Sequence, residues 1–225
     1  SIFGGKAWTF DPQTGQWYYH MFLKEQPDLN WRNSAVRNEM MHIFIYWLEK
    51  GVDGFRLDVF NEYFKDARFR DNPPRWGLRS FDRQQHVYDV DQPEMMDVVE
   101  EIRSTLDRFP ERYVVGETFM ASSKRAVEFT GEHRLNAAFD FTLLHTPWNA
   151  ARFLKVIQQW DALNDDGHWP NIVMNNHDNV RSATRFGRGE DDERLKVAAG
   201  LLLTLRGTPY LYQGEEIGMR DISLE

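Results

Sequence analysis

Three acidic residues stand where runs of strand-forming residues break off: Asp58 in GVDGFRLDVF, Glu117 in YVVGE and Asp178 in NIVMNNHD. Arg56 lies two positions before the first of them, and His177 adjoins the third. Successive strand side chains point to opposite faces, so Gly54, Arg56 and Asp58 are expected on one face and Phe55, Leu57 and Val59 on the other. An adjacent cation favours the ionised carboxylate that a nucleophile needs. Glu117 follows Val114, Val115 and Gly116, where partial burial and a like charge opposite would raise its proton affinity, as a proton donor needs. Neighbouring strands lie about 4.8 Å apart, so carboxyls ending adjacent strands would face each other at roughly 5 Å. Paired carboxyls at about 5–5.5 Å belong to retaining glycoside chemistry, whereas inverting sites hold them about 6.5–9.5 Å apart. Asp178 supplies a third carboxylate, and His177 a hydrogen-bond donor to a hydroxyl or to developing charge.

Such residues need strands delivered side by side. Ala35 to Lys50 has apolar residues at Val36, Met40, Ile43, Phe44, Trp47 and Leu48, with Asn33 or Ser34 as cap and Gly51 beyond the end; the spacing predicts a helix that runs into the first strand. A second helix over Pro93 to Phe109 runs into Tyr113 to Glu117. Strands are expected at Asn136 to Phe141, Asn171 to Asn176 and Thr208 to Gln213, with helices at Asn149 to Asp161 and Asp191 to Arg206. Five strands alternating with helices predict βα units and a parallel sheet, class α/β. No glycine-rich phosphate turn follows the first strand, which favours a barrel over an open doubly wound sheet, and barrel chemistry sits at C-terminal strand ends. The segment from Asn61 to Gln92 has no periodicity and reads as a long loop, functional or disordered.

The 225 residues, 41% hydrophobic and 14% aromatic, suffice for a core, and a net charge of −8 without basic clusters excludes nucleic acid and anionic membrane as partners. There are no cysteines, so disulfides and thiolate metal sites are excluded and the redox compartment is left open. No apolar run approaches the roughly 20 residues that span a bilayer, and SIFGGKAWTF does not read as a signal peptide.

QPDLNW (Gln26 to Trp31), GFRLD, VVGET, NNHDN and GTPYLYQGEEIGM (Gly207 to Met219), in this order along the chain, resemble the motifs of the α-amylase family of retaining glycoside hydrolases, glycoside hydrolase family 13. FGGKAWTFDPQTGQWYYHMF, QPDLNWRNSAVR and HVYDVDQPE resemble the connecting segments of its α-glucosidase and oligo-1,6-glucosidase branch. The resemblance implies an incomplete (β/α)8 TIM barrel with strands four to eight present. Residues 1–225 would then be the C-terminal part of a catalytic domain, an internal fragment lacking the N-terminal strands, a small inserted domain and a C-terminal β-domain. It implies Asp58 as nucleophile, Glu117 as general acid/base, Asp178 as transition-state stabiliser, Arg56 as orienter of the nucleophile and His177 as a sugar ligand. Val59, next to the nucleophile, would accompany α-1,6 cleavage. The Arg-x-Asp-Arg motif of sucrose isomerases does not occur in LLHTPWNAARFLK, which favours hydrolysis. An oligosaccharide substrate, no redox cofactor, calcium only through loops outside this chain, and a cytoplasmic location would follow, with oligomeric state open. The rivals are a transglycosylase or isomerase such as a trehalose synthase, and an inactive transporter-associated relative.

Other residues carry plainer expectations. His177 with Asp178 could begin a metal site, but no third ligand falls at suitable spacing. Glu215 and Glu216 read as braces for the last strand. His20, His86, His133, His145 and His168 read as loop or packing residues. Trp8, Trp17, Tyr18 and Tyr19 read as a cleft wall or as packing around a turn.

Overall fold

The computed structural model describes residues 1–164, 168–187 and 193–222. The chain divides into two compact units, Ser1–Tyr113 and Val114–Glu225.

The first unit opens with an antiparallel hairpin, β1 (Trp8–Asp11) and β2 (Gln16–Tyr19), pairing Trp8 with Tyr19 and Phe10 with Trp17. The aromatic alternation read above as wall or turn packing is therefore a pair of strands. Asp11 closes the connection: its carboxylate accepts from the Gln13 and Thr14 backbone N–H groups and from the Thr14 hydroxyl, an Asx turn that sets the register. Helix α1 (Ser34–Glu49) starts at Asn33, whose side chain accepts from the Ala35 N–H at 2.9 Å. It stops before Gly51, where φ is 91°. The buried face is Met41, Phe44 and Leu48, while Ile43 and Trp47, expected on that face, are exposed. Phe44 meets Phe55 edge-on at 4.8 Å, placing α1 against strand β3 (Gly54–Leu57). Helix α2 (Met95–Leu106) buries Met95, Val98, Val99, Ile102 and Leu106. It contacts α1 through Met41 Sδ and the Thr105 hydroxyl at 3.5 Å and through the Arg37–Glu101 ion pair. Between β3 and α2 the chain is irregular apart from short 3-10 turns at Phe60–Glu62 and Phe81–Arg83.

The second unit carries β4 (Tyr113–Glu117, its first residue in the first unit), α3 (Ser123–Glu128), β5 (Ala137–Phe139), α4 (Ala150–Asn164), β6 (Asn171–Val173), α5 (Ser182–Phe186), α6 (Glu193–Thr204) and β7 (Thr208–Tyr210). β4 pairs with β5 and β6 with β7, both in parallel, as the alternation of strands and helices predicts. Leu143, Phe153, Trp160, Ile172, Met174 and Phe186 form one core cluster, and Val115, Ala137, Phe139, Leu144 and Val173 another.

The strands are shorter than the apolar runs suggest, because polar side chains capture the backbone where each run continues. Asp140 Oδ1 takes the Thr142 N–H and hydroxyl, ending β5 at Phe139 rather than Phe141. β6 ends at Val173 rather than Asn176, and Asn176 Oδ1 takes the Asp178 N–H in the turn beyond it. Glu215 Oε2 takes the Tyr212 N–H at 3.0 Å, so β7 ends at Tyr210 rather than Gln213. The helix expected from Asp191 is described from Glu193; Asp191 and Asp192 lie outside the described residues. Among the described residues, no helix is long and apolar enough to cross a membrane.

Candidate active site

Each proposed carboxylate stands at a strand end or in the turn that follows it. β3 stops at Leu57, 3% exposed and facing the core, and Asp58 comes one residue later with its side chain 72% exposed. Arg56 Nη1 donates to Asp58 Oδ1 at 2.7 Å, so the pair expected on one strand face is present. Val59 departs from the expected alternation. Its φ of 34° and ψ of 42° place a β-branched residue in the left-handed region, and the strand ends before it. That twist sends the chain directly into the turn Phe60–Glu62, whose three residues are all buried. Asn61 holds the turn, its Nδ2 donating to Asp91 Oδ1 at 3.0 Å while its carbonyl accepts the Asp91 N–H at 2.8 Å. Tyr63 stacks flat on Trp31, centroids 4.6 Å apart and planes 5° from parallel. Burial pushes the Tyr63 phenol well above its usual range, and the negative charge of Asp58 adds to this. Trp31, the last residue of QPDLNW, thus supports the segment that carries Asp58.

Gly54, at the head of GFRLD, has a steric reason. A Cβ there would stand 1.8 Å from the Tyr113 carbonyl oxygen, because the Tyr113 N–H bonds the Asp53 carbonyl at 3.0 Å and brings the two backbones together.

In the second unit Glu117 is the last residue of β4, in register with Phe139 and 5% exposed. The next residue, Thr118, donates its hydroxyl to the Phe139 carbonyl at 2.8 Å, which pins the strand end. Asp140, at the equivalent end of β5, is occupied: Trp160 Nε1 donates to its Oδ2 at 2.7 Å and Thr142 holds Oδ1. Asp178 and His177 sit in the turn after β6, 60% and 58% exposed, with His177 Nε2 and Asp178 Oδ2 3.4 Å apart.

The NNHDN turn is built from beneath by residues that sequence reasoning passed over. Asn175 is buried, its Nδ2 donating to Ser182 Oγ at 2.8 Å and its Oδ1 accepting the Ser182 N–H. Ser182 Oγ lies 3.4 Å from Glu215 Oε1, and burial raises the proton affinity of Glu215 against the opposing Tyr212 N–H bond. Glu215 is therefore a brace, as expected, while Glu216 is exposed. The signal for this network was present in NNHDN followed by Ser182, and again in QGEE. Arg181 donates to the Gln213 carbonyl at 2.7 Å and stands 4.8 Å from the Tyr212 ring centroid.

Within the units, the structure brings together Arg56 with Asp58 and His177 with Asp178. Among the described residues, no group of three or more His, Asp or Glu side chains could hold a metal ion.

Residues 1–225, the whole chain, match the family described as "Alpha amylase, catalytic domain". A probable alpha-glucosidase of Rhizobium meliloti (strain 1021) is 36% identical over 244 residues, covering 100% of this chain and 44% of the relative. An oligo-1,6-glucosidase of Parageobacillus thermoglucosidasius is 36% identical over 241 residues, covering 99% of this chain and 42% of the relative. Among solved structures, the alpha-glucosyl transfer enzyme XgtA matches with a TM-score of 0.93 at 36% identity, over 100% of this chain and 44% of that one. The chain thus spans less than half the length of the relatives it matches.

Proposed function

From the premise that this chain belongs to the α-amylase family, we propose that it contributes β3, β4, β5, β6 and β7 as strands four to eight of a (β/α)8 barrel. In this reading it carries the catalytic groups of a retaining α-glucosidase acting on terminal α-linked glucose of short oligosaccharides, through α-1,6 or α-1,4 bonds. The observation that supports this best is the Arg56 to Asp58 hydrogen bond of 2.7 Å at the open end of β3. A carboxylate so placed is aimed by a cation while its second oxygen is available to attack.

In the first step Glu117 gives its proton to the glycosidic oxygen as that bond breaks, and an Asp58 oxygen bonds the anomeric carbon. The sugar is left as an ester of Asp58 with its configuration inverted. In the second step Glu117, now a carboxylate, takes a proton from water; the water oxygen displaces Asp58 and inverts the centre again, giving net retention. Asp178 offsets the positive charge that develops on the ring, His177 donates to a ring hydroxyl, and Val59 borders the bond being cut.

The resemblance to a glucosyl transfer enzyme favours one second reading, in which a sugar hydroxyl replaces water in the second step. Proton NMR of the reaction on isomaltose and maltose tests both. The expected result is α-glucose as the first-formed anomer, with Asp58→Asn and Glu117→Gln each lowering the rate by at least ~10²-fold. First-formed β-glucose would overturn retention, and disaccharide isomers as main products would overturn hydrolysis. Full activity of Asp58→Asn would overturn the assignment of the nucleophile.

A further inference from the structure

Glu62 ends the turn that begins where Asp58 and Val59 leave β3, and it is 3% exposed. Charged and titratable groups reach it from several segments: Asp28 ahead of α1, Tyr19 at the end of β2, Asp89 ahead of α2, and Asp58 and Lys65 from its own stretch. The other carboxylates here have cationic or imidazole partners. Lys65 Nζ lies 2.9 Å from Asp28 Oδ1, His86 Nδ1 2.9 Å from Asp89 Oδ2, and Arg56 2.7 Å from Asp58. Lys65 also donates to the Glu62 backbone carbonyl and stands 5.2 Å from the Tyr19 ring centroid. Glu62 Oε1 is buried with no hydrogen-bond partner among the described residues.

Sealing an ionised carboxylate away from water with an unmatched oxygen is far more costly than sealing the neutral acid. Among the described residues, the ammonium that acts on Glu62, that of Lys65, is already shared between Asp28, a carbonyl and a ring. We infer that Glu62 is a positioning residue that works as a neutral carboxylic acid, filling the buried side of the turn that presents Asp58 without placing a second negative charge there. Burial is the main cause that pushes Glu62 up to about 8, with Asp28, Asp89 and Asp58 acting in the same direction and Lys65 against. The neutral state therefore holds through neutral pH and ends on the alkaline side. The inference rests on the reading of Asp58 as nucleophile.

The test is the pH dependence of kcat/KM for the naturally encoded protein and its Glu62→Gln variant, with p-nitrophenyl α-glucoside as probe. Two groups must then keep their protons, Glu117 for catalysis and Glu62 for positioning. Above about pH 8 the logarithm of kcat/KM should fall with a slope one unit steeper in the parent than in Glu62→Gln. Between pH 6 and pH 9 the variant should lose roughly tenfold less activity than the parent. Superimposable profiles would overturn the inference. Asp89→Asn gives a second reading that does not depend on Glu62→Gln folding: with one negative charge fewer, the second inflection should move to lower pH, and an unmoved inflection would again refute it. Asp58→Asn separates the two claims. Full activity in that variant means that the nucleophile reading has failed, whereas an inactive Asp58→Asn with unaltered Glu62→Gln profiles means that only the role of Glu62 has.

Discussion

Glu62→Gln also makes a thermodynamic prediction. The folded protein keeps the Glu62 proton up to about pH 8, whereas the unfolded chain releases it at an ordinary 4.5. Over that window the folded state binds more protons than the unfolded state, so stability falls as pH rises. At ~1.4 kcal/mol per pH unit, the whole window removes up to ~5 kcal/mol, of which ~3.5 kcal/mol falls between pH 5 and pH 8. Glutamine has the same shape and no proton to lose. Urea unfolding at 25 °C at pH 5, 6, 7 and 8 should therefore show Glu62→Gln close to the parent at pH 5. The variant should then gain on it progressively, by about 3 kcal/mol at pH 8. Slopes in urea should stay equal, since no surface changes. Two parallel stability curves, differing by less than ~1 kcal/mol in their change from pH 5 to pH 8, would refute the argument, because they would mean that the carboxyl titrates alike in both states.

Gly54→Ala should be severely destabilising, because the new Cβ meets a backbone carbonyl at 1.8 Å rather than a side chain that could swing away. The expected loss is ~3 kcal/mol or more, a fall of at least ~6 °C in Tm, and an unchanged melting curve would contradict it. Trp160→Phe removes the donor to Asp140 Oδ2 together with part of a buried ring, so the urea midpoint should fall by the equivalent of at least ~1–3 kcal/mol; an unshifted midpoint would contradict both contributions.

The long-period features were legible in sequence because they repeat. The spacing in α1 and α2, the parallel βα order and the two charges in GFRLD are all patterns of residue type against position, and each appears in the fold. What was not legible depends on single contacts. The hairpin β1–β2 has a four-residue connection set by Asp11, and its alternating aromatics were visible without showing what they pair with. α3 and α5, six and five residues long, are too short for periodicity to declare them. Beyond the strand ends at Phe139, Val173 and Tyr210, side chains take the backbone N–H groups of Thr142, Asp178 and Tyr212, a competition invisible until the partners meet. At the candidate site, Arg56 with Asp58 was readable from a spacing of two. Glu62 was not: a glutamate in FNEYFKD reads as solvent-facing, and only tertiary packing makes it buried. Asn175 is similar, since nothing in NNHD says which asparagine turns inward to hold the turn.

Val59 combines two properties that protein engineers usually vary separately. Its left-handed backbone carries a penalty of ~1–3 kcal/mol for a branched residue, and its side chain is the one proposed to border the bond that is cut. Glycine would remove that penalty along with the side chain, and threonine would change the chemistry and keep the penalty. A mutant library at this position therefore samples product preference and folding free energy along the same axis. Selection for a new linkage here is, at the same codon, selection on how firmly the chain holds its shape.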